Sequence, residues 1–387
     1  MKKQNFSDLT KVAEHIINDN KKVTLMYAFN ATGKTRLSMT FKEQLNPPKE
    51  NINYVGFGNK RVLYFNSFTE DLFTWENDLD NDEHRYLMYK TDTAFGKYID
   101  EQNVDQNINK KFNSLVNSDI SIKFERIENT DNMGIKFSRG DKVIKISRGE
   151  ERLFTWCVFM VIAETIVSDL KDEKDNEDIN SIDYIYIDDP ISSLDENYTI
   201  AAALDLADLV KQSELKTEEE LENGKSLKFV ISTHHALFFE VLSNRFQKMK
   251  FKDGNDKNNI AINVLEKNID DAEGYVIKNE GDSPFSYHNY VLKKIDRDNN
   301  NYEISKYHFN LMRNLLEKTA LFLGHSDYRT LIPEESNDRS KFLKLLDEYS
   351  HGTHPNSEQY MLSHDEANLF KEKFKEFKET YHWHIQK

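Results

Sequence analysis

The segment YAFNATGKTRLS (27–38) constrains the fold more than any other part of this 387-residue chain. Ala28 and Gly33-Lys34-Thr35 have the spacing of a phosphate-binding loop, and they lie between a strand pattern and a helical pattern, as that loop requires. Backbone N–H groups of such a loop surround phosphate oxygens, Lys34 reaches the β and γ phosphates, and the Thr35 hydroxyl binds Mg2+. A glycine-containing helix start is the alternative. We expect the nucleotide to be held by Asn30, Ala31, Thr32, Gly33, Lys34, Thr35 and Arg36.

Two carboxylates end a second apolar strand pattern, in IDYIYIDDPISSLDE (182–196). A carboxylate at such a strand end can hold hydrated Mg2+, and its neighbour can orient the attacking water. We assign the first role to Asp188 and the second to Asp189. A helix-capping Asp cluster is the alternative, and it explains Asp195 better than the two acids directly after the strand.

The segment KFVISTHHALFFE (228–240) places two histidines directly after another apolar strand pattern. His234 is positioned to contact the γ phosphate of the nucleotide. We expect His235, the next residue, to begin a helix.

Strand and helix patterns alternate along the first part of the chain, and helical patterns alone follow. The predicted strands are at 22–29, 61–68, 120–127, 134–138, 183–188 and 227–233, and the clearest helices are at 151–170 and 197–212. KNEGDSPF (278–285) contains Gly and Pro and is the best domain boundary. The sequence therefore predicts an α/β domain at 1–284 and an α domain at 285–387.

Net charge limits the class of partner. The chain has 52 Lys and Arg against 67 Asp and Glu, a net charge of −15. This acidity argues against non-specific coating of nucleic acid, because that binding depends on neutralising phosphates. The part from Phe285 onward is near neutral, with 15 basic and 16 acidic residues, and it has eight of the twelve His. The two parts of the chain therefore differ chemically.

Cysteine content and hydropathy predict the compartment. A single cysteine, Cys157, excludes a disulfide framework and fits a reducing cytosol. No apolar run reaches the ~18 residues of a membrane span, and the start MKKQNFSDLTKV lacks the apolar core of a signal peptide. We expect a cytoplasmic protein with no membrane partner.

The helical stretch FNLMRNLLEKTALFLGH (309–325) has one Arg and one Glu, four residues apart. At about 100° per residue, Arg313 and Glu317 lie together at the edge of an apolar face. That face is expected to contain Phe309, Met312, Leu315, Leu316, Thr319, Phe322 and Leu323. An intrahelical ion pair favours the acid before the base, which is the reverse of this order. The pair is therefore either a buried structural ion pair or part of a site.

Four segments together resemble the motifs of ABC-type ATPases, in the order in which those proteins have them. ATGKT (31–35) resembles the phosphate loop, KISRGEERLFTW (145–156) the signature, IDDPISSLD (187–195) the second acidic motif and D-loop, and VISTHH (230–235) the switch histidine. The resemblance implies ATP or GTP with Mg2+ as cofactors. It also implies a homodimer or higher oligomer that sandwiches nucleotide between ATPase domains. The positions matching the signature, which contacts nucleotide held by the other subunit, are Ser147, Gly149 and Glu150, and Asn66 stands at the Q-loop.

A second resemblance covers essentially the whole chain. DDP in place of an Asp-Glu pair, the lack of a long coiled coil, and a helical tail with RNLLEK (313–318) and YSHGTHP (349–355) resemble the bacterial anticodon nucleases. This implies an α/β ABC-type P-loop ATPase domain followed by a small all-α HEPN-like domain. The implied function is nucleotide-gated cleavage of tRNA at the anticodon loop in antiphage defence. In that family, a restriction-modification partner can hold the nuclease silent.

The family's nuclease pattern is an Arg, a Glu four residues later on the same helix and a His further along the chain. Arg313, Glu317 and His351 match this pattern, and His354 is the alternative histidine. RNA cleavage without a metal needs a base for the 2′-OH, a proton donor for the leaving 5′ oxygen and a cation facing the phosphorane. Glu317 and His351 would share the proton transfers, and Arg313 would bind the phosphate.

Departures from the ABC pattern and two other functions stay open. Ala28 and Ala31 replace usual glycines and Asp189 replaces the usual Glu, which suits a slow regulatory ATPase. The chain could instead be an SMC-like or RecF-like ATPase with a non-catalytic interaction tail, or a phage-sensing ATPase that controls a separate nuclease. Basic residues that could follow an RNA backbone are Arg339, Lys341, Lys344, Lys371, Lys373, Lys375 and Lys378, although interleaved glutamates favour a solvated helix face.

Overall fold

The computed structural model describes most of the chain. The described residues are 3–46, 60–66, 73–77, 85–91, 96, 98–99, 104–116, 119–127, 132–171, 177–191, 194–215, 225–251, 259–268, 274–279, 287–300, 304–350 and 362–383. The chain divides into two compact units, Met1–Pro284 and Phe285–Lys387. The second unit thus begins where the helical patterns of the sequence take over.

The first unit has two sheets. In chain order its strands are β1 (Lys3–Phe6), β2 (Val23–Tyr27), β3 (Val62–Asn66), β4 (Phe73–Asn77), β5 (Arg85–Lys90), β6 (Ser121–Arg126), β7 (Asn132–Arg139), β8 (Lys142–Ile144), β9 (Tyr184–Asp188), β10 (Lys228–Thr233), β11 (Ile260–Lys267) and β12 (Tyr275–Asn279). The larger sheet has seven strands in the order β1-β12-β11-β2-β10-β9-β3. The smaller sheet has the order β4-β5-β7-β6, with β8 beside β7, and its pairs are antiparallel.

The middle of the larger sheet is parallel. Strands β11, β2, β10, β9 and β3 pair in parallel, whereas β12 and β1 add an antiparallel edge. Every residue of β2 and of β9 is buried, as expected for parallel strands covered on both faces. The carboxyl ends of β2, β3, β9 and β10 therefore lie along one edge of the sheet, where open α/β sheets bind ligands.

Some of the seven helices described in the first unit begin at residues whose side chains cap them. The seven are α1 (Leu9–Asp19), α2 (Lys34–Leu45), α3 (Asp105–Val116), α4 (Arg148–Lys171), α5 (Glu177–Asn180), α6 (Glu196–Gln212) and α7 (Ala236–Gln247). The Asp195 carboxylate accepts a hydrogen bond from the Tyr198 N–H at 3.0 Å and caps α6. His235 caps α7, which confirms that it begins a helix.

Helix α4 forms the apolar centre of the first unit. It contains an 18-residue window of mean hydropathy 1.7, which is long and apolar enough by composition to cross a membrane, although Glu164 interrupts it, so that no uninterrupted apolar run reaches that length. However, 78% of that window is buried inside the protein. Fully buried side chains on α4 include Trp156 and Phe159, which pack against Phe65 of β3. Helix α4 is therefore a core helix.

The described secondary-structure elements of the second unit are all helices. They are α8 (Tyr287–Asn300), α9 (Lys306–Leu323), a short 3-10 helix (Tyr328–Leu331), α10 (Arg339–Ser350) and α11 (His364–Thr380). Side chains from all of these elements share one hydrophobic core, which includes Ile295, Phe309, Leu315, Leu331, Phe342, Leu346, Phe370 and Phe374. Helix α9 ends at Gly324, which has a φ of 79° in the left-handed region where glycine is unstrained.

The apolar face predicted for α9 was correct over most of its length and wrong at its end. Phe309 and Met312 are buried, as are Leu315, Leu316 and Thr319. Phe322 and Leu323, in contrast, are exposed, Phe322 by 89%. Both belong to the last turn before Gly324, beyond the point at which the neighbouring helices cover α9.

The sequence predicted the strands that end at motifs and missed several others. All six predicted strands correspond to observed ones, namely β2, β3, β6, β7, β9 and β10. Strands β1, β4, β5, β8, β11 and β12 were not expected. Strand β1 (KQNF) has no apolar alternation, and it forms by antiparallel pairing with β12. Pairing partners of this kind are not encoded in local sequence.

Candidate functional site

The phosphate loop connects the end of β2 to the start of α2. Ala31 and Gly33 both adopt left-handed backbone conformations, with φ of 63° and 111°. At Gly33 this costs nothing, whereas a left-handed non-glycine residue stores about 1–3 kcal/mol of strain. The Thr32 N–H donates to the Phe29 carbonyl at 3.2 Å and closes the turn. The loop thus has a fixed shape, and its strain is located at Ala31, where related loops have glycine.

Lys34 lies at the start of α2 with its ammonium buried over the loop. Its Nζ donates to the carbonyl oxygens of Ala28 and Phe29 at 3.3 and 3.4 Å. The Asp189 Oδ2 is 3.8 Å away. Burial lowers the pKa of Lys34, although the nearby acids oppose this shift. A buried ammonium with long contacts is suited to exchange them for phosphate oxygens, so this residue fits a nucleotide.

Asp188, at the end of β9, is fully buried among hydroxyl groups. Ser232 Oγ donates to its Oδ1 at 2.7 Å, and Tyr64 OH donates to its Oδ2 at 3.3 Å. Ser38 Oγ lies 3.4 Å from the same Oδ2, and the Thr35 hydroxyl also hydrogen-bonds this carboxyl. Burial raises the pKa of Asp188, and a bound cation would favour its ionised form. The adjacent hydroxyl and carboxyl fit the protein ligands of a Mg2+ ion.

Asp189 and His234 form a hydrogen-bonded pair across the ends of β9 and β10. His234 Nδ1 lies 2.5 Å from the Asp189 Oδ2, and the His234 N–H donates to Oδ1 at 3.2 Å. Thr233 Oγ1 donates to the same Oδ1 at 3.3 Å. Burial alone would raise the pKa of Asp189, but His234 and Lys34 outweigh it, so this pKa is lowered and the carboxylate is ionised. Asp189 has a left-handed φ of 51°, which marks a strained position beside the phosphate loop.

Asn66 and the signature segment lie on other elements. Asn66 ends β3 in register with Asp188, and its Nδ2 donates to Tyr64 OH at 3.1 Å. Ser147 and Glu150 cap each other at the start of α4, with N–H donors 2.7 Å from the Glu150 carboxylate and 3.2 Å from the Ser147 hydroxyl. Gly149 is partly exposed, and a Cβ added there would contact only the Ser147 Oγ, at 4.0 Å. The structure thus brings Asn66 to the sheet edge and places the signature at a separate helix start.

In the second unit, Arg313 and Glu317 are in contact. Arg313 Nε donates to the Glu317 Oε1 at 2.7 Å despite the unfavourable order of the two charges. Their side chains are 20% and 42% exposed. Half-exposed ion pairs contribute about 0–1 kcal/mol to stability, so the pair is not the buried strut that was the alternative. His351 and His354 lie outside the described residues.

Two residues that the sequence did not single out, Asp347 and Tyr328, contact this arginine, and a third, Arg329, contacts both of them. Asp347 Oδ1 accepts from Arg313 Nη1 at 3.3 Å and from Tyr328 OH at 2.7 Å. The Tyr328 ring faces the Arg313 guanidinium, with 5.3 Å between Cζ and the ring centre. Arg329 Nη2 donates to Asp347 Oδ2 at 3.0 Å. The only local signal is Asp347 itself, a carboxylate within the apolar helical run FLKLLDEY (342–349).

Several basic residues considered for RNA binding are engaged elsewhere. Lys373 is 1% exposed on its side chain and pairs with Glu376 at 3.0 Å. Arg339 donates to the backbone carbonyls of Ile332 and Arg329, both at 2.9 Å. Lys378 pairs with Asp296. The expectation that these residues could follow an RNA backbone was therefore wrong for Lys373, whose side chain is inaccessible.

Around the phosphate loop, the missed residues are hydroxyls. Ser232 and Thr233 directly precede the predicted His234, and Ser38 lies one helical turn after Lys34. Tyr64 precedes Asn66 by two residues, so both side chains lie on the same face of β3. These positions could have been found by following the periodicity of each element outward from the predicted motif residues.

Comparisons with known proteins identify relatives of this chain. A family model described as an AAA domain matches residues 96–378, which include the strand-end carboxylates and His234 but not the phosphate loop. The curated anticodon nuclease of Escherichia coli is 34% identical over 357 residues, covering 86% of this chain and 82% of that protein.

Two solved SMC head domains are more distant. One, bound to the C-winged helix domain of ScpA, is 12% identical and covers 67% of this chain and 90% of that chain, with a TM-score of 0.33. The other, from Thermotoga maritima, is 13% identical and covers 68% and 90%, with a TM-score of 0.27. TM-scores this low do not by themselves define a fold.

A phosphate loop after a central parallel strand, with two carboxylates and a histidine at the ends of its neighbours, defines a P-loop ATPase-like α/β fold with a mixed sheet. An AAA domain implies the use of nucleotide and usually of Mg2+. The chain belongs to the anticodon nuclease family.

Proposed function

We propose that this protein is a cytoplasmic, nucleotide-gated endoribonuclease that cleaves tRNA at the anticodon loop in antiphage defence. The observation that supports this most is the Arg313–Glu317 contact on α9 in a chain that is 34% identical to an anticodon nuclease. The second unit is then a HEPN-like ribonuclease domain. Its reaction uses no metal, and a restriction-modification or other defence protein can hold it silent.

The nucleotide site acts as the gate. Loop N–H groups and Lys34 bind the phosphates of ATP or GTP, and Thr35 and Asp188 hold Mg2+. When bound, the nucleotide would supply the phosphoryl group for slow hydrolysis, and Mg2+ would neutralise the charge on its phosphates. Asp189 then orients the attacking water and His234 contacts the γ phosphate, and their hydrogen bond keeps both side chains in place before nucleotide arrives. Ser147, Gly149 and Glu150 would contact the nucleotide of a second subunit, forming a homodimer or higher oligomer.

The nuclease reaction follows from the groups on α9. Glu317 or His351 takes the proton of the ribose 2′-OH, the 2′ oxygen bonds to phosphorus, and the bond from phosphorus to the 5′ oxygen breaks. The other residue gives a proton to the leaving 5′ oxygen. The products are a 2′,3′-cyclic phosphate and a 5′-OH. Arg313 faces the phosphorane, whose negative charge is greatest in the transition state.

The direct test incubates pure protein with total tRNA and different nucleotides and maps any new RNA ends. We expect ends within the anticodon loop, with cyclic phosphate termini, only when an activating nucleotide is present. Cleavage that does not depend on nucleotide would contradict the gate. If that cleavage also required added Mg2+, it would contradict a reaction without metal. No cleavage of any RNA under conditions of full nucleotide binding would favour an ATPase with a non-catalytic tail or one that controls a separate nuclease.

A further inference from the structure

The guanidinium of Arg313 is held by groups from three elements of the second unit. Glu317 is on the same helix, Tyr328 is on the 3-10 helix, and Asp347 is on α10. The two carboxylates accept from different nitrogens, Nε and Nη1, and the Tyr328 ring covers one face of the group. An arginine side chain has several rotatable bonds, so contacts of this kind fix an orientation that the helix alone does not.

Asp347 is the centre of this arrangement. Its two oxygens accept from Tyr328 OH, Arg313 and Arg329 at 2.7, 3.3 and 3.0 Å. The hydrogen bond from Tyr328, together with Arg329, lowers the pKa of Asp347, so the carboxylate is ionised at neutral pH. Its side chain is 37% exposed, and exposed pairs contribute little to stability. The main consequence of these contacts is therefore the placement of the two arginines.

We propose that Asp347 is a positioning residue of the nuclease site, which acts by holding the Arg313 guanidinium towards the scissile phosphate. This inference rests on the proposed function. Glu317 cannot do this alone, because it carries a proton at one stage of the reaction, whether it acts as the base or as the acid, and its attraction for Arg313 is weaker at that stage. Asp347 takes no part in proton transfer, so it keeps its charge and its contact throughout the reaction. Tyr328 supports it by fixing one carboxylate oxygen and stacking on the guanidinium.

The test measures single-turnover cleavage of total tRNA with the nucleotide that activates the wild-type protein. Asp347→Ala should slow cleavage by about 100-fold, the loss that a displacement near 1 Å can cause, while nucleotide hydrolysis and melting temperature stay unchanged. Glu348→Ala is the matched control, because it removes an exposed acid one residue later on the same helix. It should stay within about twofold of wild type.

A double-variant cycle separates positioning from structural support. Arg313→Lys keeps the charge but lacks the guanidinium's planar set of N–H donors, so two carboxylates cannot fix its orientation. Adding Asp347→Ala to Arg313→Lys should therefore lower the cleavage rate by less than about threefold. Losses that multiply would contradict positioning through Arg313. If Asp347→Ala lowers the melting temperature, Tyr328→Phe is used instead, because it removes only the hydroxyl that fixes Asp347. Tyr328→Phe should slow cleavage by the wild type but cause no further loss of rate in the Arg313→Lys background.

The two proposals fail in different ways. If Arg313→Ala cleaves tRNA like the wild type, the nuclease site itself is wrong. If Arg313→Ala is inactive and Asp347→Ala is fully active, the nuclease site stands and the positioning role of Asp347 is overturned.

Discussion

At the scale of single residues, the nucleotide site contains groups with separate tasks that contact one another. The Lys34 Nζ lies 3.8 Å from the Asp189 Oδ2, and the same oxygen is hydrogen-bonded to His234 Nδ1. In the proposed function, the lysine provides binding charge, whereas the carboxylate acts only on the attacking water. Substitution of each should therefore affect different measurable steps.

Lys34→Ala should lower nucleotide affinity by about 30-fold or more, because removing one partner of a buried charge pair costs about 2–5 kcal/mol. Asp189→Asn should keep affinity and slow hydrolysis, which traps the nucleotide-bound form. Titration calorimetry and phosphate release measure the two quantities. Equal losses of affinity in both variants would remove this division of roles.

The Arg313–Glu317 pair can be tested by exchanging its charges. Arg313→Ala should lose about 100-fold or more in RNA cleavage, as for removal of one transition-state donor, with little change in stability. The double variant Arg313→Glu with Glu317→Arg should fold, because all the charged groups involved are partly exposed, yet it should not cleave, because the phosphate would face a carboxylate. A swapped variant that folds and cleaves RNA would end the assignment of this helix.

At the scale of elements, the sequence predicted the site residues at the ends of strands but few of the side-chain contacts between helices. Asp188, Asp189 and His234 each follow a recognisable apolar strand, and in parallel sheets such ends meet at one edge. Asp347 and Tyr328, in contrast, reach Arg313 only through the packing of α9, α10 and the 3-10 helix. The same limit explains Phe322, whose place in the helical period predicted burial although none of the described elements covers it.

Helix α9 provides a paired stability test. Phe309→Ala should destabilise the second unit by about 3–5 kcal/mol, because it empties a fully buried site in the core. Phe322→Ala, on the same helix, should change stability by less than about 0.5 kcal/mol, because the ring is exposed. Denaturant unfolding measures both. Similar large losses would mean that Phe322 is covered in solution.

The start of α9 predicts how the stability of the second unit depends on pH. His308 Nε2 contacts the buried Asp298 Oδ2 at 3.0 Å, and its Nδ1 accepts from the Ser305 N–H at 3.0 Å. Burial would raise the pKa of Asp298, but His308, Lys294 and Arg297 lower it well below its usual value. A carboxyl with a depressed folded-state pKa stabilises the fold above its unfolded pKa of about 3.9 and loses this effect as pH falls further.

The melting temperature of the wild type should therefore fall steeply below about pH 4. Asp298→Asn should lower stability at neutral pH and flatten the dependence at acid pH. The exposed Glu335→Gln serves as the control and should leave both unchanged. If Asp298→Asn loses stability below about pH 4 as steeply as the wild type does, other carboxyl groups determine that loss.

At the scale of the whole molecule, the proposed function places an ATPase unit and a nuclease unit in one chain. The proposed link is oligomerisation, since the matched signature residues Ser147 and Gly149 would complete a nucleotide site only in a second subunit. Sedimentation should therefore detect a larger species with a non-hydrolysable nucleotide in the wild type and in Arg313→Ala, but not in Lys34→Ala. A nucleotide-independent size in all three would contradict this link.

Gated cleavage is the central claim, and the rate of tRNA cleavage as a function of nucleotide concentration tests it most directly. Cleavage by the wild type should rise with nucleotide occupancy. Lys34→Ala should not cleave tRNA at nucleotide concentrations that saturate the wild type. Arg313→Ala should bind nucleotide normally yet leave tRNA intact. Equal cleavage by the wild type and Lys34→Ala without nucleotide would contradict this claim.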